Sequence, residues 1–141
     1  MLCRDVMKGD VRFVTAQTTV AQAAALMRDE QIGFLPICDP SRIVIGTLTD
    51  RDIAIRVVAD NHSANEPVAR FMSPGAATCL SDENLSAAQD LMGEMQISRM
   101  LCVEVDGRLE GVISLSDIAQ LGDGTNATAT LRSVTVREAR A

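Results

Sequence analysis

Two seven-residue phrases hold the residue types best suited to chemistry: GTLTDRD at 46–52 and, 65 residues later, GVISLSD at 111–117. Each has a glycine (Gly46, Gly111), a hydroxyl three positions on (Thr49, Ser114) and a carboxylate three further (Asp52, Asp117). At the start of a helix, a hydroxyl and an acid so spaced predict a reciprocal cap, the hydroxyl accepting from the third backbone N–H and the acid from the first. The same groups suit a ligand. A carboxylate can accept two hydrogen bonds from a ribose diol, and a helix start offers N–H groups and positive potential to a phosphate. Three features favour the ligand: aspartate stands where a capping box prefers Glu or Gln, the glycines would let a ligand approach the backbone, and the helix starts would present free amides. Cap and ligand both remain open on these residues alone.

The phrases sit inside a longer repeat. Shifting the chain by 65 residues places Met7 on Met72, Ala23 on Ala88, Leu26-Met27 on Leu91-Met92, Gln31-Ile32 on Gln96-Ile97, and Asp52-Ile53-Ala54 on Asp117-Ile118-Ala119. Periodicity within each copy predicts β-α-β-β-α. In the first copy, residues 11–15 read as a strand. Thr18 or Thr19 caps a helix striped by Val20, Ala23, Ala24 and Met27, which Gly33 ends. Strands at 34–38 and 43–48 turn at DPSR, and a second helix starting near Thr49 carries Ile53, Ala54, Val57 and Val58. In the second copy Leu85, Ala88, Met92 and Met95 stripe the first helix and VDGR turns the hairpin. The expected class is α+β with α/β-like order, divided into a first repeat at 1–59, a linker at 60–68, a second repeat at 69–121 and a tail at 122–141. The tail matches neither repeat and reads as a mobile tail or an interface arm. One copy is too small to bury both faces of its sheet, so two copies packed about a pseudo-twofold axis are expected, with paired grooves.

Composition removes several function classes. The formal charge is −6, the basic residues are dispersed, and the chain has no Trp or Tyr and only three Phe. That argues against a nucleic-acid polymer as ligand, which needs clustered cations or stacking platforms. No apolar run suggests a signal peptide or membrane span, so a soluble cytoplasmic protein is expected. The four cysteines, Cys3, Cys38, Cys79 and Cys102, form no CxxC pair. Cys38 and Cys102 read as small buried hydrophobes in apolar strands, and with His62 as the single histidine, in a polar linker, no metal site is assigned. Met92, Met95 and Met100 read as core filler. There is no G-x-S-x-G elbow, histidine pair or Cys–His couple, so no enzyme is expected.

The tandem β-α-β-β-α units with G-x-x-[ST]-x-x-D resemble a pair of CBS domains, or Bateman module, over roughly residues 2–121, of the stand-alone bacterial type. The resemblance implies binding of AMP, ADP, ATP or S-adenosylmethionine in clefts between repeats, a homodimer, and an effector protein that reads occupancy. No cofactor is required beyond the regulatory nucleotide. Carried onto this chain, Asp52 and Asp117 would hold ribose, and Thr49 and Ser114 would meet phosphate. The run ISRMLCVEVDGRLEGVISLSDI is similar to nucleotide-binding repeats of the family in which an arginine at the position of Arg99 and a serine at that of Ser116 meet phosphate. Arg51 replaces Ser116 in the first copy, and Phe34 replaces Arg99. Backbone and apolar residues near Val14, Thr15, Cys79 and Leu80 would line the base pocket. The family's second-strand proline is present as Pro36 but is Leu101 in the second copy, a change expected to matter little. The alternatives are a ligand-independent dimerisation or interaction domain, or a cysteine-based metal or redox sensor.

Overall fold

The computed structural model describes residues 1–121 together with 128, 130–132 and 134. Helices and strands mix, and the chain divides into two compact units, Arg12–Ala76 and Met1–Val11 with Ala77–Ala141. The units do not follow the order of the repeats: the first eleven residues pack with the second copy, and residues 67–76 complete the first.

In the first unit, α1 (Val20–Glu30) starts at Thr19, whose hydroxyl accepts from the Gln22 amide while the Gln22 side chain accepts from the Thr19 amide. Linker carbonyls take two more orphan N–H groups, Val20 to Glu66 at 3.0 Å and Ala21 to Ala64 at 2.9 Å. The linker is thus bound to the unit. His62 also meets Phe71, with ring centroids 5.2 Å apart and the rings tilted, and lies 3.3 Å from Glu66. Gln31, in the left-handed conformation (φ 55°), ends α1, and Gln96 does the same for α3 (Leu85–Met95). The expectation that Gly33 stops α1 is therefore corrected.

β1 (Phe34–Cys38) pairs antiparallel with β2 (Val44–Thr49). The strand expected at 11–15 shrinks to one parallel bridge, Val14 to Ile37. Pro36 explains the loss on one side, because it has no N–H to carry the ladder back toward residue 12. In the second unit, Leu101 stands at the matching position and donates to Ala77 at 3.1 Å. There β3 (Thr78–Leu80) forms, parallel to β4 (Arg99–Val103), which pairs antiparallel with β5 (Leu109–Ser114). The Pro36/Leu101 difference accounts for one end of the strand; at the other end the Ser81 amide extends it by donating to Val103 at 3.3 Å.

After β2, α2 (Asp50–Asp52) passes directly into a π-helical turn, Ile53–Val58. The wider i→i+5 turn changes which residues share a face. Of the expected stripe, Val57 alone is fully buried; Ala54 faces out and Val58 is 68% exposed. The second unit closes with α4 (Leu115–Leu121). Its core gathers Cys3, Val6, Leu85, Ala88, Met92, Met100, Ile113 and Ile118. Met95, expected in that core, is 47% exposed. Most of the tail at 122–141 lies outside the described residues, although Val134 is buried in the same core.

Candidate functional site

Both phrases fold into the reciprocal cap. In the first unit Thr49 Oγ1 accepts from the Asp52 amide at 3.1 Å and Asp52 Oδ2 from the Thr49 amide at 2.9 Å. In the second, Ser114 Oγ accepts from the Asp117 amide at 3.1 Å and Asp117 Oδ2 from the Ser114 amide at 3.2 Å. Each carboxylate spends Oδ2 on its helix start and turns Oδ1 toward a cation. Asp52 Oδ1 is 3.8 Å from Arg56 Nε, one turn along its own helix. Asp117 Oδ1 is 3.2 Å from Lys8 Nζ, from the N-terminal segment.

Lys8 was missed by the sequence reading. Its backbone exchanges two hydrogen bonds with Val112, at 2.9 and 3.0 Å, which holds the side chain beside Asp117. The signal lay in a break of the repeat: directly after the matched methionines Met7 and Met72, lysine stands opposite Ser73. Asp117 is 8% exposed. Burial acts to raise its carboxyl, but hydrogen bonds from Ser114 and Lys8, with the charge of Lys8, outweigh it and hold the group below the usual carboxylate value.

The two glycines have a different reason from the one expected. A Cβ on Gly111 would stand 2.8 Å from the Lys8 carbonyl oxygen and 2.8 Å from Met7 Sδ. On Gly46 it would stand 2.8 Å from Met72 Sδ and 3.0 Å from the Ser73 carbonyl oxygen. The close approach the glycines permit is that of the chain's own Met7-Lys8 and Met72-Ser73 segments, not a ligand's.

The helix starts differ between the copies. In both, the first amide is engaged, Asp50 with the Gly33 carbonyl and Leu115 with the Ser98 carbonyl, each at 2.9 Å; in the first copy the next amide, that of Arg51, is also taken, by the Asp50 carboxylate at 2.8 Å. The expectation of free amides therefore fails at the first residue of both helices, and in the first copy the Asp50 carboxylate takes the second amide as well. In the second copy Leu115 carries no oxygen with which to do the same for the Ser116 amide. Ser116 Oγ lies 2.9 Å from Ser114 Oγ, and Arg99 pairs in register with Ser114 across the hairpin. Ser114, Ser116, Asp117, Lys8 and Arg99 thus gather at one end of β4 and β5. Thr49 and Asp52 are joined by the exposed Arg51, with Phe34 opposite Thr49 in the place of Arg99.

Val14 and Cys79 turn their side chains into the two cores, so a ligand could reach only their backbone. The next amides are already engaged, Thr15 with Thr18 Oγ1 at 3.2 Å and Leu80 with Glu83 Oε2 at 2.8 Å. An open depression of about 500 Å³ at the far end of the second unit's sheet is lined by Leu80 with Arg4, Asp82, Glu104 and Asp106; its lining does not include Ser114, Asp117 or Arg99. Among the described residues no group of three or more His, Cys, Asp or Glu side chains is arranged to hold a metal ion. Among them, too, no helix is long and apolar enough to cross a membrane.

The CBS-domain profile matches residues 3–59 and 68–123, nearly the whole described chain, and the chain belongs to this family. It is 33% identical over 116 residues to the CBS domain-containing protein YhcV of Bacillus subtilis, covering 82% of this chain and 81% of that one. It is 34% identical over 119 residues to hypoxic response protein 1 of Mycobacterium tuberculosis, covering 83% and 82%. The crystal structure of that protein, which holds two coordinated zinc ions, has a TM-score of 0.78 at 29% identity over 86% of this chain and 99% of the other. Two more distant structures share the fold. The CBS domain pair of MJ0100, solved with 5′-methylthioadenosine and S-adenosylmethionine, has a TM-score of 0.76 at 24% identity, covering 86% of this chain and 94% of that one. CBSX2, solved with AMP, has a TM-score of 0.74 at 21% identity, covering 84% and 93%.

Proposed function

We propose that this chain is a regulatory module that binds an adenosine-containing ligand (AMP, ADP, ATP or S-adenosylmethionine) and signals its occupancy to a partner protein. It performs no catalysis, and it works as a homodimer in the cytoplasm. The ligand site is built on the second copy: Asp117 holds the ribose, and Ser114, Ser116, Arg99 and Lys8 serve the phosphate or other polar tail. One observation carries this assignment. Asp117 is a buried carboxylate whose outer oxygen meets, among the described residues, a flexible cation, a lysine with 72% of its side chain exposed. A ribose hydroxyl can share Oδ1 while the lysine swings to a phosphate. The first copy, with Thr49, Arg51 and Asp52, is the weaker site because Asp50 already covers its helix start. Related CBS pairs solved with AMP and with S-adenosylmethionine support the ligand class. Signalling requires that the ligand favour one conformation of the chain over another, which the partner then distinguishes.

A thermal-shift screen with these four ligands separates this reading from a ligand-independent assembly domain. A ligand that binds only the native state adds about 2.7 kcal/mol at a hundredfold excess over Kd. A melting temperature unmoved by all four sinks the sensor reading. In titration calorimetry, Asp117→Ala is expected to weaken the binding ligand at least tenfold, about 1.4 kcal/mol, in a protein that still folds. Unchanged affinity would reduce Asp117 to a cap.

A further inference from the structure

Three of the four cysteines meet in the core of the second unit. β3 and β4 are parallel with Cys79 directly opposite Cys102. Neighbouring strands run about 4.8 Å apart, inside the roughly 4.4–6.8 Å of Cα separation that a disulfide spans. The two sulfurs are 3.6 Å apart, in contact before any bond forms. Cys3, brought in by the N-terminal segment, hydrogen-bonds with Cys79 from another side. The matching strand positions of the first unit are Val14 and Ile37, so only the second copy can carry such a bond. Cys38, the remaining thiol, is buried in the first unit.

We propose that Cys79 and Cys102 are a disulfide-forming modification site for a peroxide-class oxidant. The Cys79 thiolate attacks one oxygen of hydrogen peroxide, and the O–O bond breaks. The departing hydroxide leaves as water after taking up a proton, and Cys79 becomes a sulfenic acid. The Cys102 sulfur then attacks the Cys79 sulfur, the S–O bond breaks, and the Cys102 proton leaves with the second water. In sum, two thiols and one peroxide give one disulfide and two waters; the sulfurs lose two electrons and the peroxide gains them. Cys79 makes the first attack because it is 5% exposed, whereas Cys102 is sealed at 0%.

The environment sets the speed. Contact with Cys102 and burial push the Cys79 thiol up, and burial followed by Cys79 pushes Cys3 up to about 12. The thiolate is the reacting form, so oxidation at neutral pH is slow and accelerates with rising pH. The pair is suited to registering sustained oxidant, and its bond would staple the strand that carries Leu80 to the strand that begins at Arg99.

The experiment uses the full reduced chain treated with hydrogen peroxide at pH 7.5 and pH 9, followed by denaturing alkylation and peptide mapping. The expected product is 2 Da lighter, joins Cys79 to Cys102, leaves Cys38 alkylated, forms faster at pH 9, and melts no lower than the reduced protein. Cys38→Ala should form the same product, since Cys38 has no part in it. Four alkylated thiols after exposure, a bond from Cys3 to Cys79, oxidation of Cys38 at an equal rate, or an unfolded product would each overturn the assignment. The readout needs no nucleotide, so its failure is distinguishable from failure of the ligand-site reading.

Discussion

The two copies share a backbone plan down to the capping geometry, yet three exchanges of side chain give them different chemistry. Lys8 faces the second motif where Ser73 faces the first; Arg99 stands where Phe34 stands; and Leu115 has no oxygen to offer the next amide, as Asp50 does to that of Arg51. These exchanges place Lys8 and Arg99 beside the second motif, whereas the first keeps Arg51 and Arg56 on its own helix and adds an anion, Asp50, at the helix start. The comparison teaches that the motif G-x-x-[ST]-x-x-D does not by itself make a ligand site. It makes a cap that fixes a carboxylate, and the neighbours decide what that carboxylate can hold.

The largest expected effect tests what the copies share. Gly111→Ala places a methyl 2.8 Å from the Lys8 carbonyl, a backbone atom with little freedom to yield. Overpacking of this kind costs about 1–3 kcal/mol, and here it also pushes Lys8 away from Asp117. Gly46→Ala meets first a methionine sulfur at 2.8 Å and a carbonyl only at 3.0 Å, so it should cost less. Urea unfolding of both variants checks the order. Equal and negligible costs would show that the Met7-Lys8 and Met72-Ser73 segments do not pack as described.

These glycines also show where reading the sequence stops. The duplication, the hairpins and both caps were legible because each rests on local pattern: matched residues at one offset, turn chemistry, a hydroxyl three positions before an acid. The exchange of N-terminal segments was not, because segments 5–12 and 70–77 occupy equivalent places in the repeat and either assignment satisfies the alignment. The motif glycines then looked like room for a ligand, when a neighbouring stretch of chain fills it. Gln31 and Gln96 were seen as a matched pair but not as left-handed caps, since glutamine is an uncommon choice there. Pro36 was legible as a residue and misjudged as a cause: a missing donor matters only once the strand that needed it is known. The lysine on Asp117 follows from the same exchange and was hidden with it.

Lys8→Ala has the next largest effect. The pair has one exposed partner, so its loss should cost under about 1 kcal/mol of stability at neutral pH. The linkage can be signed. Asp117 is held below the ordinary carboxylate value of 3.8, so its contribution is present above that value and is lost as pH falls through the depressed one. Without Lys8 the depression is smaller, so the variant begins less stable, loses less on acidification, and converges with the parent in strong acid. Ligand titration should show a few-fold loss for AMP and little change for adenosine, which has no phosphate. An equal loss for both would give the lysine a role at the ribose instead.

Asp50→Leu is the smallest expected change and the most direct attempt to erase the difference between copies. It puts the residue of the second helix start into the first and frees the Arg51 amide from the carboxylate 2.8 Å away. An acid in the first helical turn favours the dipole by about 0.3–1 kcal/mol, so a slight loss of stability accompanies the change. In calorimetry the parent should bind AMP with one event per chain; the variant should add a second, weaker one, because Phe34 and Ser73 still withhold the cations that Arg99 and Lys8 supply. A second event already present in the parent would mean that Asp50 yields readily to phosphate and that the copies are closer in function than their side chains indicate. A variant that keeps a single event would leave the cations, rather than the internal carboxylate, as what separates the two motifs.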